Sequence, residues 1–158
     1  MTYLNQGHDI ALVSDAGTPG VSDPLYFLTQ AALNENIRVV SLPGPSAVLA
    51  ALTVSGLPVN RFAFEGFLPR KKGRKKLIEE LTHEKRTIVI FESPHRIVKT
   101  LRELYQAMGK RKAVLARELT KVHEEVIRGT LDVLVAVAEN RKLKGEITLV
   151  ISGCSKRA

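Results

Sequence analysis

The stretch Thr87-Ile88-Val89-Ile90-Phe91-Glu92-Ser93-Pro94-His95-Arg96, continued by Ile97, Leu101, Leu104 and Met108 and stopped at Gly109, decides the fold class. Its first five residues are all β-branched or aromatic and read as a buried strand. The apolar period then changes to that of a helix with one apolar face. Ser93-Pro94 has the form of an N-cap and first helical residue: a serine oxygen accepts an orphan helix N–H, and proline lacks the N–H that would go unpaired there. Gly109 is the residue type that most readily ends a helix in a left-handed conformation. A strand delivered directly into a helix is the building unit of α/β proteins.

Downstream, residues 113–116 and 122–127 read as strands, 131–138 as a short helix, and Ile147-Thr148-Leu149-Val150-Ile151 as a last strand. Upstream, Phe62-Ala63-Phe64-Glu65-Gly66-Phe67 reads as a strand, followed by a basic loop and a helix carrying Leu77, Ile78 and Leu81. Nearer the start, Ile10-Ala11-Leu12-Val13 reads as a strand that ends in a Gly/Pro-rich turn. A helix through Leu25, Leu28 and Ala32 follows Pro24, then a strand at Arg38-Val39-Val40-Ser41-Leu42. A second turn, Pro43-Gly44-Pro45-Ser46-Ala47, enters a helix over residues 48–54, with Pro45 suited to a first helical position and Gly56 and Pro58 stopping it. No internal repeat is visible. The expected architecture is α/β with two lobes, each a sheet flanked by helices, divided near Pro58 into residues 1–58 and 59–158. Ligands in such folds lie beyond the carboxyl ends of strands.

The bulk composition narrows the function classes. With 158 residues and 44% hydrophobic content, the chain can bury one good core or two small ones. Its longest apolar run, residues 47–54, is too short to cross a bilayer, and residues 1–10 lack a secretory signal pattern, so no membrane association and a cytoplasmic location are expected. The single cysteine, Cys154, excludes an internal disulfide and has no partner cysteine for a zinc site, so no metal is expected. The 24 Lys+Arg against 16 Asp+Glu give a net charge of +8, and much of the excess is local. Arg70, Lys71, Lys72, Arg74, Lys75 and Lys76 form a run broken only by Gly73, with a second group at Lys110, Arg111 and Lys112. Such clusters attract phosphate backbones, although a solvated helix start has the same composition.

Two turns carry the candidate chemistry. Glycines at 17, 20 and 44 permit positive φ and close approach of backbone to ligand, and prolines at 19, 43 and 45 stiffen the loops. Asp15, Thr18, Ser22, Asp23 and Ser46 offer polar groups of the kind a nucleoside needs for its base edge and ribose. Neither the phosphate-cradling G-x-x-x-x-G-K-[ST] loop nor the dinucleotide pattern G-x-G-x-x-G is present, which favours a non-phosphorylated nucleoside over triphosphates or nicotinamide cofactors. Taken alone, either turn also reads as an ordinary tight turn.

Six motifs occur in order: Ser14-Asp15-Ala16-Gly17-Thr18-Pro19-Gly20-Val21-Ser22-Asp23-Pro24, Pro43-Gly44-Pro45-Ser46-Ala47, Phe64-Glu65-Gly66-Phe67-Leu68-Pro69, Phe91-Glu92-Ser93-Pro94-His95-Arg96, Ala116-Arg117-Glu118-Leu119-Thr120-Lys121 and Gly145-Glu146-Ile147-Thr148-Leu149. Together they resemble the ribosomal RNA small subunit methyltransferase I family, a branch of the tetrapyrrole (corrin/porphyrin) methylase-like superfamily, over nearly the whole chain. The resemblance implies a two-lobed homodimer that transfers a methyl group from S-adenosylmethionine to a cytidine ribose 2′-hydroxyl of small-subunit ribosomal RNA. It places Gly17, Thr18, Val21, Ser46 and Ala47 on donor-binding positions of the first lobe, beside Asp15, and Phe91 and Glu92 on the edge given by the second. Family members begin with an additional segment whose Gly-rich loop completes the cleft. The match here starts downstream of that segment, so the first lobe is expected to be incomplete.

Methyl transfer to a hydroxyl is an in-line displacement that needs alignment and removal of a proton. The ionisable candidates near the second-lobe motifs are Glu92, His95, Glu118, His123 and Glu124. A structural ion pair between Arg117 and Glu118, and a strand position for His123, are the alternatives for those residues. Arg96 and the basic run are expected on the RNA backbone. A tetrapyrrole or other small-molecule acceptor and a non-catalytic RNA-binding module are the competing readings. The basic loop speaks against the first, and titration with S-adenosylmethionine separates the second.

Overall fold

The computed structural model describes residues 1–22 and 25–154. Asp23 and Pro24, which belong to the first turn motif, lie outside the described residues. The chain forms two compact units, Met1–Ser46 and Ala47–Ala158.

The second unit is built on a five-stranded sheet of order β1-β2-β5-β3-β4, with β1 at Phe62–Phe67, β2 at Thr87–Glu92, β3 at Lys112–Arg117, β4 at Glu125–Thr130 and β5 at Ile147–Ile151. β1 and β2 are parallel, joined through helix α4 (Arg74–Thr82), and the remaining pairs are antiparallel. Both faces of the central strands are buried, which explains their continuous apolar runs. Ile88 and Ile90, Ala113 and Leu115, and Ile147, Leu149 and Ile151 face one side. There they pack with α4, α5 (Ile97–Met108) and α6 (Leu131–Asn140). The alternate residues Val89, Val114, Ala116 and Val150 face the other side and meet α3 (Ala47–Ser55) through Val48, Ala51 and Leu52. This packing places α3 with the second unit, so the compact units part at Ser46 and Ala47 rather than near Pro58.

Helix α5 forms because Ile97, Leu101 and Leu104 repeat on one face, each buried to 1% exposure or less. It ends at Gly109, whose φ is +67° and whose N–H donates to the Tyr105 carbonyl at 2.8 Å. The helix starts later than its sequence suggests. Arg96, not Ser93, occupies the N-cap, because residues 93–96 make a separate turn in which the Ser93 carbonyl accepts the N–H groups of Arg96 and Ile97, both at 3.0 Å. Pro45 likewise lies ahead of α3, which begins at Ala47.

The first unit contains the short helix α1 (Thr2–Asn5) and α2 (Leu25–Asn34). Past the end of α2, Asn36 adopts φ +58°, and the Ile37 N–H returns to the Ala32 carbonyl at 2.9 Å. Asparagine tolerates this left-handed position better than most residues. The two strands expected here, at residues 10–13 and 38–42, do not form among the described residues. Neither stretch makes ladder hydrogen bonds, and Val13 and Leu42 are 84% and 79% exposed. An apolar, β-branched stretch is a strand only when another strand pairs with it.

Candidate functional site

In the first unit the two Gly/Pro turns are joined to each other. Thr18 donates both its backbone N–H, at 2.8 Å, and its hydroxyl, at 3.0 Å, to the Pro45 carbonyl. The fit is close on both sides. Gly17 has φ +75°, with a hypothetical Cβ 3.5 Å from Pro45 O, and a Cβ on Gly44 would stand 3.1 Å from Thr18 Oγ1. Ser14 stiffens the first turn by donating to the Gly17 carbonyl at 2.9 Å. Asp15, Gly17 and Val21 are exposed, whereas Ser46 is half-buried. Thr18 thus spends its donors on tying the turns together, while Asp15, the backbone of Gly17 and Ser22 are exposed polar surface of that turn.

In the second unit Ala47 is exposed at the start of α3, and the sheet register aligns the motif-bearing loops. Phe67 pairs with Phe91, Glu92 with Ile147, Ile147 with Arg117, and Arg117 with Glu125. The loops that follow β1, β2 and β3, and the segment that enters β5, therefore all leave one end of the sheet. At this end Phe91 is half-buried, in edge contact with Phe64 at 4.9 Å between ring centres.

Glu92 is buried, and both its carboxylate oxygens are occupied. Oε1 accepts the Ser93 N–H at 2.8 Å and lies 3.3 Å from Arg96 Nε, and Oε2 accepts the Thr100 hydroxyl at 2.6 Å. Thr100 in turn accepts from Arg74 at 2.7 Å. Arg74 also donates to Glu103 at 2.7 Å and to the Pro69 carbonyl at 3.1 Å. Buried charges need this degree of pairing and hydrogen bonding to be tolerated. Of the six cations in the basic run, Arg74 thus points inward, and Arg70, Lys71, Lys72, Lys75 and Lys76 are exposed. Arg96 is drawn the same way, donating to the Leu68 carbonyl at 2.6 Å.

The remaining ionisable candidates are spread along the same sheet end. His95 is exposed and makes no hydrogen bond among the described residues. Glu118 sits at φ +49° and accepts the Glu146 N–H at 2.8 Å and Lys121 Nζ at 3.2 Å. The Glu146 amide, then Lys121, hold its carboxyl below the ordinary carboxylate range. Glu124 accepts the Thr120 N–H at 2.6 Å. His123 is exposed in the turn before β4, not within the strand. Arg117 pairs with Glu125 at 2.7 Å rather than with its neighbour Glu118. The structure adds Thr100 and Glu103, and also Arg141, Lys142 and Lys144, to the residues that the sequence singles out. The first two lie on the inner side of α5, where only the burial of Arg74 gives them meaning. The run Arg141-Lys142-Leu143-Lys144 is visible in the sequence only as charge. Among the described residues no cluster of His, Cys, Asp and Glu could hold a metal, and no helix is long and apolar enough to cross a membrane.

Residues 1–135 match the family described as Tetrapyrrole (Corrin/Porphyrin) Methylases. The chain is 47% identical over 153 residues to a ribosomal RNA small subunit methyltransferase I of Thermotoga maritima, with 97% of this chain and 69% of the relative aligned. It is 49% identical over 157 residues to the protein of the same name from Mycobacterium tuberculosis, covering 98% of this chain and 55% of the relative. It thus spans between about half and two thirds of the length of these relatives. The structure is similar to that of the methyltransferase CobJ, with TM-score 0.72 and 19% identity over 99% of this chain and 70% of the other. It is also similar to uroporphyrin-III C-methyltransferase from Thermus thermophilus complexed with S-adenosyl homocysteine, with TM-score 0.64 and 19% identity over 96% and 69% of the respective chains. At this identity the two structures speak for the shared fold.

Proposed function

The chain belongs to the tetrapyrrole (corrin/porphyrin) methylases and, within them, to the ribosomal RNA small subunit methyltransferase I family, and from that membership we propose that it acts in S-adenosylmethionine-dependent methylation of small-subunit ribosomal RNA. The observation that carries RNA as acceptor is the basic segment, where five exposed cations project from the loop after β1 and the first turn of α4, anchored by the buried Arg74. A row of cations suits a polymer with regularly repeated negative charge better than a compact small molecule.

The joined turns fit a nucleoside donor. Gly17 offers backbone uncovered by a side chain, Asp15 offers an exposed carboxylate for ribose hydroxyls, and Val21 and Ala47 offer exposed apolar surface. In this proposal Asp15, Gly17, Thr18, Val21 and Ser46 hold the donor on the first unit. By family resemblance the donor assignment also includes Ala47 and Phe91, and Glu92 fixes the turn behind Phe91. When bound, S-adenosylmethionine supplies a methyl carbon on a cationic sulfur, open to displacement by a hydroxyl oxygen. To His95 we assign removal of the hydroxyl proton, because it is exposed beside Phe91-Glu92 with neither ring nitrogen hydrogen-bonded among the described residues. Such a base contributes roughly 10²- to 10⁴-fold. We assign Arg74 and Arg96 to anchoring, and phosphate contact to Arg70, Lys71, Lys72, Lys75 and Lys76. We extend the proposal to a cytidine ribose 2′-hydroxyl as acceptor, a homodimer and a cytoplasmic location, all three resting on the family.

The test is incubation with methyl-labelled S-adenosylmethionine and, in parallel, small ribosomal subunits, their naked RNA and a tetrapyrrole. Label in RNA from either source supports the proposal. Label only in the tetrapyrrole moves the chain to the small-molecule branch, and label in none of them contradicts catalysis.

A further inference from the structure

The sheet end that carries the basic loop also carries a second positive feature. A cleft of about 260 Å³ opens there, lined by Arg117, His123, Arg141, Lys142, Leu143 and Lys144. Its residues come from three segments: the end of β3, the turn before β4 and the approach to β5. Leu143 is 5% exposed and pins the 141–144 segment to the core, while Lys142 and Lys144 on either side of it are exposed. Glu125 sits between two of the cations, accepting from Arg117 and from Arg141, each at 2.7 Å. Arg117 also donates to the Lys144 carbonyl at 3.2 Å, so its guanidinium is fixed. The neighbouring carboxylates Glu118 and Glu146 are each 3.2 Å from Lys121 Nζ on the adjoining loop. Lys142 and Lys144 make no ion pair among the described residues. Of the four cationic side chains that line the cleft, two are paired with Glu125, and Lys142 and Lys144 leave it with an unbalanced positive charge.

Two further facts select the ligand. The volume falls below the roughly 300–1,000 Å³ of pockets that enclose drug-sized molecules, so the cleft suits a small anionic group presented by something larger. In addition, β1 and β3 are three strands apart in the order β1-β2-β5-β3, which at about 4.8 Å per strand puts the cleft roughly 15 Å from the loop that follows β1. A single nucleic acid strand can reach both.

We propose that the cleft lined by Arg117, His123, Arg141, Lys142 and Lys144 is a second phosphodiester-binding site, seating a backbone phosphate of the RNA on the same sheet end as residues 70–76. This inference rests on the RNA reading above. Its test is the salt dependence of binding to naked small-subunit ribosomal RNA. The proteins compared are the unaltered protein, the double variant Lys142→Gln/Lys144→Gln, the quadruple variant Lys71→Gln/Lys72→Gln/Lys75→Gln/Lys76→Gln, and Lys85→Gln. Lys85 is an exposed lysine just before β2, at the opposite end of the sheet. The double variant is expected to flatten the slope of log affinity against log salt by roughly 0.7–0.9 for each phosphate it no longer neutralises. Lys85→Gln is expected to leave the slope unchanged, and thermal midpoints should match because all these side chains are exposed. An unchanged slope in the double variant, with a flattened one in the quadruple variant, overturns the second site while the RNA reading stands. Unchanged slopes in both overturn the RNA interface itself. An equal flattening in Lys85→Gln reduces the effect to net charge and also overturns the site.

Discussion

The Thr100 hydroxyl donates to Glu92 Oε2 at 2.6 Å, and both residues are buried, to 0% and 2% exposure. Because the same hydroxyl accepts from Arg74, this one bond links the turn after β2 to the foot of the basic loop after β1. Replacing Thr100 by Val keeps its shape but strands a guanidinium N–H and a carboxylate oxygen without partners. Leaving such buried groups unsatisfied costs about 1–3 kcal/mol or more. Urea unfolding is expected to show that destabilisation for Thr100→Val and to show most of the stability restored in Thr100→Ser.

Arg74 and its neighbours in the basic run are expected to behave oppositely. Arg74→Met removes the partner of the part-exposed Glu103 and of the buried Thr100, and leaving such groups unsatisfied costs about 1–3 kcal/mol. Lys71→Met, on the exposed side, is expected within about 0.5 kcal/mol of the unaltered protein. Equal stability effects from the two substitutions, measured by urea unfolding, would show that Arg74 is not an anchor.

Gly145 has φ +84°, and a Cβ there would overlap the Glu118 side chain. Gly145→Ala therefore strains the backbone and displaces Glu118 from the Glu146 amide and Lys121. A destabilisation of about 1–3 kcal/mol is expected for the strained backbone, measurable as a lowered urea midpoint. A midpoint unchanged by the substitution would mean that this loop packing is wrong.

The turn before β2 predicts an acid sensitivity. Side-chain and backbone hydrogen bonds with Arg86, at 2.9 and 2.8 Å, hold the Glu84 carboxyl at about 2, below the ordinary 4.5. A carboxylate with a depressed pKa in the folded state contributes stability above its unfolded pKa and loses it as pH falls. The thermal midpoint of the unaltered protein should therefore fall more steeply between about pH 4.5 and 2 than that of Glu84→Gln. Parallel curves would show that Glu84 does not contribute to the acid sensitivity.

Much of the second unit is legible in the sequence because its signals are local. The β2 run, the α5 repeat and the β5 stretch each carry their period within a few residues, and the bounds of β2 and β5 and the end of α5 follow to within a residue. What is not legible depends on distant partners. Residues 10–13 and 38–42 have strand composition, but a ladder is a property of two segments. Ser93 resembles a cap because sequence does not reveal that the chain makes another turn first. Arg74 reads with its neighbours as phosphate-facing, since charge in a run says nothing of direction. Its partners Thr100 and Glu103 lie on a different helix. The joining of the two Gly/Pro turns by Thr18 and Pro45 has the same character. Each turn is conspicuous by itself, and the hydrogen bonds between them span 27 residues.

Methyl transfer to small-subunit ribosomal RNA, the central claim, is tested most directly by identifying the product. RNA incubated with the protein and methyl-labelled S-adenosylmethionine is digested to nucleosides and the labelled species identified by mass. Label is expected in 2′-O-methylcytidine, and is expected to disappear when His95 is replaced by Ala. RNA that carries no label, with the donor intact after incubation, would contradict the claim.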